Sequence, residues 1–126
     1  MELLGNNFAF YGTLRRGGEN FPVFQEHLVY KGTVWLPGFK LFSLGAYPYA
    51  ILTGDAWDKI KVDLFKIDDF KTIESIHKME IEVGYQLYTV EFSKENFGIY
   101  LFDKMEEKKP AILSGDWMEY IGSFDF

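Results

Sequence analysis

"FAFYGTLRRGGEN", Phe8 to Asn20, is the stretch on which the reading of this chain turns. It opens as a short apolar strand and stops at Gly12, a residue that ends a strand pattern and permits backbone angles other residues avoid. The loop beyond carries a hydroxyl, Thr13, and then Arg15 and Arg16, the only two arginines in the sequence. Such a turn can leave the N–H groups of Thr13 and Leu14 free to converge on an anion. Arg15 or Arg16 can pair with a carboxylate. The plainer alternative is an ordinary turn with two solvated arginines. A nucleotide-phosphate loop is disfavoured, because neither G-x-x-x-x-G-K-[ST] nor G-x-G-x-x-G occurs.

Outward from that loop the pattern is mostly of strands. "ENFPVFQEHL" suits a short helix with Pro22 in its first turn. "VYKGTVWL" alternates as a strand, and "PGFKLFSLGAYPYAIL" holds two short strands around Gly45 and Pro48. "DKIKVDLFKI" sets Ile60, Val62 and Leu64 against Lys61, Asp63 and Phe65, which predicts a strand with one buried face. "YQLYTVEF" and "GIYLFDK" read as a hairpin through "SKENF". About six strands with one or two helices predict an α+β chain built as a closed or nearly closed β-barrel. Residues 1–126 read as a single domain with no internal repeat; the only weak boundary is the charged run "DKMEEKKP". The aromatics of "DWMEY" and the closing "FDF" read as core or lid.

"DDFKTIESIHKME", Asp68 to Glu80, is the clearest helix. Asp68 or Asp69 can cap its N-terminus, and Phe70, Ile73, Ile76 and Met79 form its apolar stripe. Glu80 falls seven residues after Ile73 and four after Ile76, so at roughly 100° per residue it lies about 20° from Ile73. A carboxyl there points toward the buried side at the negative end of the helix dipole. Both features raise its pKa, as a proton-shuttling acid requires. Spacing alone leaves open the alternative of a solvated glutamate at a frayed helix end.

Composition narrows the class. The chain is 48% hydrophobic and 25% charged, which is globular, and its 19% of aromatic residues must largely be core. A net charge of −6 argues against nucleic-acid or membrane partners, which select a basic face. No apolar run is long enough to cross a membrane. "MELLGNNFAF" lacks the basic and apolar regions of a signal peptide, so a soluble cytoplasmic protein is expected. The absence of cysteine removes disulfides, a thiolate nucleophile and cysteine metal sites. His27 and His77 are the only histidines and form no HExxH pair, and no serine sits in G-x-S-x-G.

Taken together, these residues resemble the γ-glutamylcyclotransferase-like superfamily, which includes the AIG2-like and γ-glutamylamine cyclotransferase proteins. "YGTLRRG" after an N-terminal strand is similar to that family's signature, and Asn20 matches the asparagine that follows it. "GAYPYA", Gly45 to Ala50, matches a glycine–tyrosine–proline segment. The family's helix ends in LD-x-x-E, which places Glu80 on its catalytic glutamate. "YQLYTVEF", from Tyr85, matches Y-x-R-x-x-V-x-V, and "SGDW", Ser114 to Trp117, also recurs. Three departures stand out: Ile76–His77 replaces the leucine–aspartate, Leu87 replaces the arginine, and Val62–Asp63 occupies the region of a usual glycine–glutamate.

The resemblance implies a small β-barrel with packed helices and a cavity between the Tyr11–Leu14 loop and Glu80. It implies an intramolecular reaction that releases 5-oxoproline from a γ-glutamyl amine, γ-glutamyl peptide or related small amide. Glu80 would be the general acid/base. Tyr11, Gly12, Thr13 and Leu14 would bind substrate through their backbone, Arg15 would add a counter-charge, and Tyr47 and Tyr85 would wall the cavity. No metal or organic cofactor is implied, because the nucleophile belongs to the substrate. A non-catalytic module that keeps the cavity for small-molecule binding is the alternative from a different class.

Overall fold

The computed structural model describes residues 5–106 and 108–122. The α+β class holds, with seven strands and three helices among the described residues. Strand β5 (Lys59–Ile67) is the second strand of a five-stranded sheet in the order β2-β5-β1-β7-β6. On one side it pairs antiparallel with β2 (Leu28–Pro37), from Leu28 opposite Ile67 to Pro37 opposite Lys59. On the other it pairs antiparallel with β1 (Asn7–Phe10), and β1 pairs parallel with β7 (Glu95–Leu101). The hairpin partner of β7, β6 (Gln86–Phe92), forms the far edge. Strands β3 (Phe39–Ser43) and β4 (Pro48–Leu52) form a separate two-stranded sheet.

The expected closed barrel is therefore not formed by strand pairing. The segment after β7 joins the two sheets instead: the Phe102 amide donates to Ala50, Ser43 donates to Pro110, Ile112 to Leu41, and Lys61 to Gly115. These bonds satisfy edge groups that a closing strand would otherwise take.

Because β5 has strands on both sides and packing on both faces, the predicted single buried face is corrected. Ile60, Val62 and Leu64 enter a core shared with Leu36, Leu41, Ile99 and Trp117. Phe65 and Ile67 enter a second core with Phe8, Phe10, Ile73 and Ile76. Asp63 is buried as well.

Helix α1 (Phe21–Phe24) is the short turn expected around Pro22 and runs on into a 3-10 turn, Gln25–His27. Helix α2 (Phe70–Val83) starts at Asp69, whose carboxylate accepts from the Thr72 amide at 3.0 Å and the Thr72 hydroxyl at 2.8 Å. Asp68 pairs with His27 instead. Ile73 and Ile76 bury the helix against the second core, each worth about 1.5–3 kcal/mol relative to exposure. Phe70, expected in that stripe, is the first residue of the helix and is 53% exposed. The helix runs three residues past Glu80 and ends at Gly84, whose φ of 119° is a left-handed cap that glycine adopts without strain. Helix α3 (Trp117–Gly122) buries Trp117, with Tyr120 stacked on it. Phe124 to Phe126 lie outside the described residues.

Candidate active site

A cavity of about 170 Å³ opens between the loop after β1, the turn before β4 and the last turn of α2. Tyr11, Gly12, Thr13 and Leu14 line one side, Glu80 and Tyr85 another, and Tyr47 and Pro48 a third. Seven of the eight residues singled out in the sequence thus share one cavity, and Arg15 does not line it.

The loop is held from within. The Arg15 amide donates to Gly12, Gly18 donates to Arg15, and Asn20 donates to the Thr13 carbonyl. The Asn20 side chain also donates to the Thr13 hydroxyl oxygen at 2.9 Å, which leaves the hydroxyl proton for another acceptor. The Thr13 and Leu14 amides donate to no group among the described residues. Gly12 is required for space rather than for unusual angles. Its φ is not in the left-handed region, but a Cβ there would stand 2.9 Å from two ring carbons of Pro48. The residue brings the loop against β4 and narrows the cavity between them.

Glu80 is half-buried in the last turn of α2, and its side chain has no hydrogen bond or cation partner among the described residues. Burial pushes its carboxyl up from 4.5 to about 7. The helix end fixes it: the Glu80 carbonyl accepts from the Gly84 and Tyr85 amides. That cap also orients Tyr85, whose phenol donates to the Pro48 carbonyl and whose ring meets Tyr47 edge-on at 6.5 Å. Burial, and then the nearby Glu80 charge, push the Tyr85 phenol up.

Tyr11 lines the cavity, but its phenol is used by the fold. The hydroxyl donates to the Tyr100 carbonyl at 2.5 Å and accepts from the Ala50 amide at 3.1 Å, joining β7 to β4. Burial above all raises its pKa, followed by Tyr85 and Glu80.

The expected role of Arg15 as a substrate counter-charge is corrected by its position. Its guanidinium is buried, bonding Asp116 at 2.8 Å and approaching Asp63 at 3.6 Å. Asp63 also accepts from the Arg16 amide at 2.8 Å and the Thr33 hydroxyl at 2.6 Å. Asp116 in turn accepts from the Met118 and Glu119 amides at the start of α3. Arg16 lies over the Tyr30 ring at 3.6 Å. Both arginines therefore anchor the loop through groups that do not line the cavity.

Sequence reading missed several lining residues: Glu19, Met79, Val83 and Tyr100. Tyr100 bonds His77 at 3.0 Å, and burial followed by the Glu80 charge raises its phenol. Met79 and Val83 flank Glu80 on the helix, so their spacing was the available signal. Tyr100 reads as an ordinary strand residue, and only the folded sheet brings it under α2. No three His, Asp or Glu side chains gather as a metal-binding group among the described residues.

The sequence matches the family described as gamma-glutamyl cyclotransferase, AIG2-like, over residues 8–119. Among known structures, the uncharacterised protein PH0828 from Pyrococcus horikoshii is 28% identical, covers 94% of this chain and 95% of its own, and superposes with a TM-score of 0.78. A mouse AIG2-like protein is 16% identical, with 82% of this chain and 80% of that one covered and a TM-score of 0.66. Allophanate hydrolase from Kluyveromyces lactis carries the same fold in 22% of its length, covering 96% of this chain at 16% identity with a TM-score of 0.78. No curated protein matches the sequence. Since the family match runs across the loop, the sheet and the helix that bears Glu80, the chain belongs to the AIG2-like γ-glutamyl cyclotransferase family.

Proposed function

We propose that the protein is a cyclotransferase that releases 5-oxoproline from a γ-glutamyl amine, a γ-glutamyl peptide or a related small amide, in the cytoplasm. The observation that carries this reading is Glu80: a half-buried, unpartnered carboxyl, raised to about 7, in the same cavity as two unengaged loop amides. A base with a pKa near the working pH combines ready deprotonation with useful proton affinity.

In the proposed reaction Glu80 takes a proton from the substrate α-ammonium. The freed amine attacks its own γ-carbonyl carbon and closes a five-membered ring. The amides of Thr13 and Leu14 bind the substrate carboxylate or the developing oxyanion, with the Thr13 hydroxyl as a further donor. The surplus proton on the ring nitrogen passes through the same carboxyl to the leaving nitrogen, and the bond from the carbonyl carbon to that nitrogen breaks. Two protons move from the attacking to the leaving nitrogen and no water enters. Tyr47 and Tyr85 wall the site, so the short glutamyl chain is held in a folded, reactive shape.

A scan of γ-glutamyl amines and peptides, reading 5-oxoproline release, tests the proposal. Release from at least one compound, with an acid limb in kcat/KM near pH 7, is the expected result. Binding of these compounds without release from any of them would favour the non-catalytic module.

A further inference from the structure

Two of the three departures from the family pattern meet at one residue, Tyr100. His77 stands where the pattern has its aspartate, and its Nδ1 lies 3.0 Å from the Tyr100 hydroxyl. Leu87 stands where the pattern has its arginine, and it is directly opposite Tyr100 across β6 and β7. Residues paired in this way share a face of the sheet, so Leu87 adds apolar cover beside the tyrosine and no charge. Tyr100 and Glu80 line the cavity, whereas His77 does not. His77 precedes Glu80 by three residues on α2, which makes the two neighbours on one helix face.

Tyr100 is held in place by its surroundings. It is buried, its ring stacks on Phe8 at 6.3 Å, and its carbonyl accepts from the Tyr11 hydroxyl. Its own hydroxyl has one hydrogen-bond partner among the described residues, His77. A phenol has one proton to donate and lone pairs to accept with, so the part that His77 engages decides what the cavity receives. The His77 Nε2 has no protein partner among the described residues and is not sealed from solvent, so water can accept a proton carried there. Nδ1 is then an acceptor, and the Tyr100 hydroxyl donates to it. The lone pairs of Tyr100 are left for the cavity that it shares with Glu80.

We propose that His77 is a positioning residue: by accepting the Tyr100 proton it turns the phenol oxygen toward the substrate α-ammonium, which Tyr100 and Glu80 then hold together. The inference rests on the cyclotransferase reading above. An ammonium group has several N–H bonds to give. Glu80 receives the proton that it removes, and Tyr100 accepts from a second N–H. Once the proton has moved, the bond to Tyr100 remains, and it fixes the amine while the new lone pair addresses the γ-carbonyl carbon. An amine held through Glu80 alone would be free to turn about that one contact. Orientation of this kind acts on kcat as well as on binding.

The test uses γ-glutamyl-n-butylamide and γ-glutamylglycine, with kcat and KM read from 5-oxoproline release. The mono-n-butylamide of glutaric acid, which is the first probe without its α-amine, serves as a competitive inhibitor. Tyr100→Phe keeps the ring and removes the hydroxyl. His77→Leu removes the acceptor, and His77→Asn returns an acceptor to the place of Nδ1. Thermal midpoints confirm folding. Tyr100→Phe and His77→Leu should each lower kcat/KM by roughly ten- to a hundredfold, chiefly in kcat, the worth of a hydrogen bond to a charged group. The double variant should lose no more than either alone, and His77→Asn should recover most of the loss. Inhibition by the amine-free analogue should be unchanged throughout. Unchanged kcat/KM in His77→Leu, or losses that add in the double variant, would overturn the inference and leave the cyclotransferase reading standing. An equal loss of affinity for the amine-free analogue would do the same, because it marks a distorted cavity. A His77→Asn variant as slow as His77→Leu would overturn the assignment of His77 as acceptor. Release from neither probe by wild type would remove the cyclotransferase reading, and this inference with it.

Discussion

Replacing Glu80 with glutamine separates the carboxyl's charge from its shape. Burial raises this group from 4.5 to about 7, so the folded protein holds its proton in a range where the unfolded chain has lost it. The sign follows from linkage: the group favours folding below pH 4.5, and that contribution is lost as the pH rises to 7. Above that range both states are ionised, and the cost of the buried charge amounts to roughly 3 kcal/mol, an upper value for a group that is only partly shielded. Glu80→Gln should therefore be more stable than wild type at about pH 8 by up to roughly that amount, with the difference fading toward about pH 4. Denaturant unfolding of both proteins across this range measures it directly. Turnover should fall at the same time by on the order of 10²–10⁴. Glu82→Gln, at an exposed position of the same helix, is the matched control and should alter neither quantity much. A stability difference that does not vary between pH 4.5 and 8 would refute the claim that the fold desolvates this carboxyl. Unchanged turnover in Glu80→Gln would refute its role as base.

Three further substitutions probe the frame around it. Arg15→Met leaves Asp63 and Asp116 without their shared cation and should cost about 3–5 kcal/mol of stability, whereas a substrate contact would instead raise KM with little loss of midpoint. Gly12→Ala drives a methyl into the Pro48 ring and should destabilise by about 1–3 kcal/mol, with weaker substrate binding as the cavity wall shifts. Ser93 and Lys94 both have positive φ, 52° and 68°, in the two-residue turn between β6 and β7. The pair Ser93→Asn and Lys94→Gly suits such a turn and should raise stability by about 0.5–2 kcal/mol in thermal or denaturant unfolding, without changing turnover.

What the sequence discloses, and what it withholds, follows from the range over which each signal acts. Glu80 was placed on the buried side of its helix by spacing from Ile73 and Ile76, because helical periodicity is local and rigid. The strand before the YGTL loop and the two strands around Gly45 were legible for the same reason. Alternation in "DKIKVDLFKI" correctly grouped Ile60, Val62 and Leu64. It could not show that strands would flank β5 on both sides and bury Asp63 and Phe65 as well. That Arg15 could pair with a carboxylate was legible, but not which one, because Asp116 lies 101 residues away and no local pattern carries that pairing. Ser93–Lys94 was hidden inside "SKENF" because neither residue announces a left-handed conformation. The lack of a closed barrel was hidden as well, because the irregular segment after β7 links the two sheets through hydrogen bonds that follow from position rather than composition.

The buried charges explain how a loop with so little regular structure can serve as a fixed binding surface. Asp63 sits at the centre of β5, a strand flanked by β2 and β1, and receives the Arg16 amide, the Thr33 hydroxyl and the approach of Arg15. Asp116 ties the same arginine to the start of α3. Arg15 is thus drawn into the protein, and the amides of the cavity-lining Thr13 and Leu14 are left without a partner among the described residues. Donors held in this way need little rearrangement when charge develops on a bound carbonyl, and that is the condition under which backbone N–H groups stabilise an oxyanion. Glu80 is fixed independently, by a capped helix packed on the second core. Glu80 and the loop amides proposed to bind the anion therefore belong to separate parts of the fold. The Tyr85 bond to Pro48 braces the wall between them, and Tyr11 joins Tyr100 to Ala50 beneath it. Loosening either brace should change the distance across the cavity before it changes the chemistry of either wall.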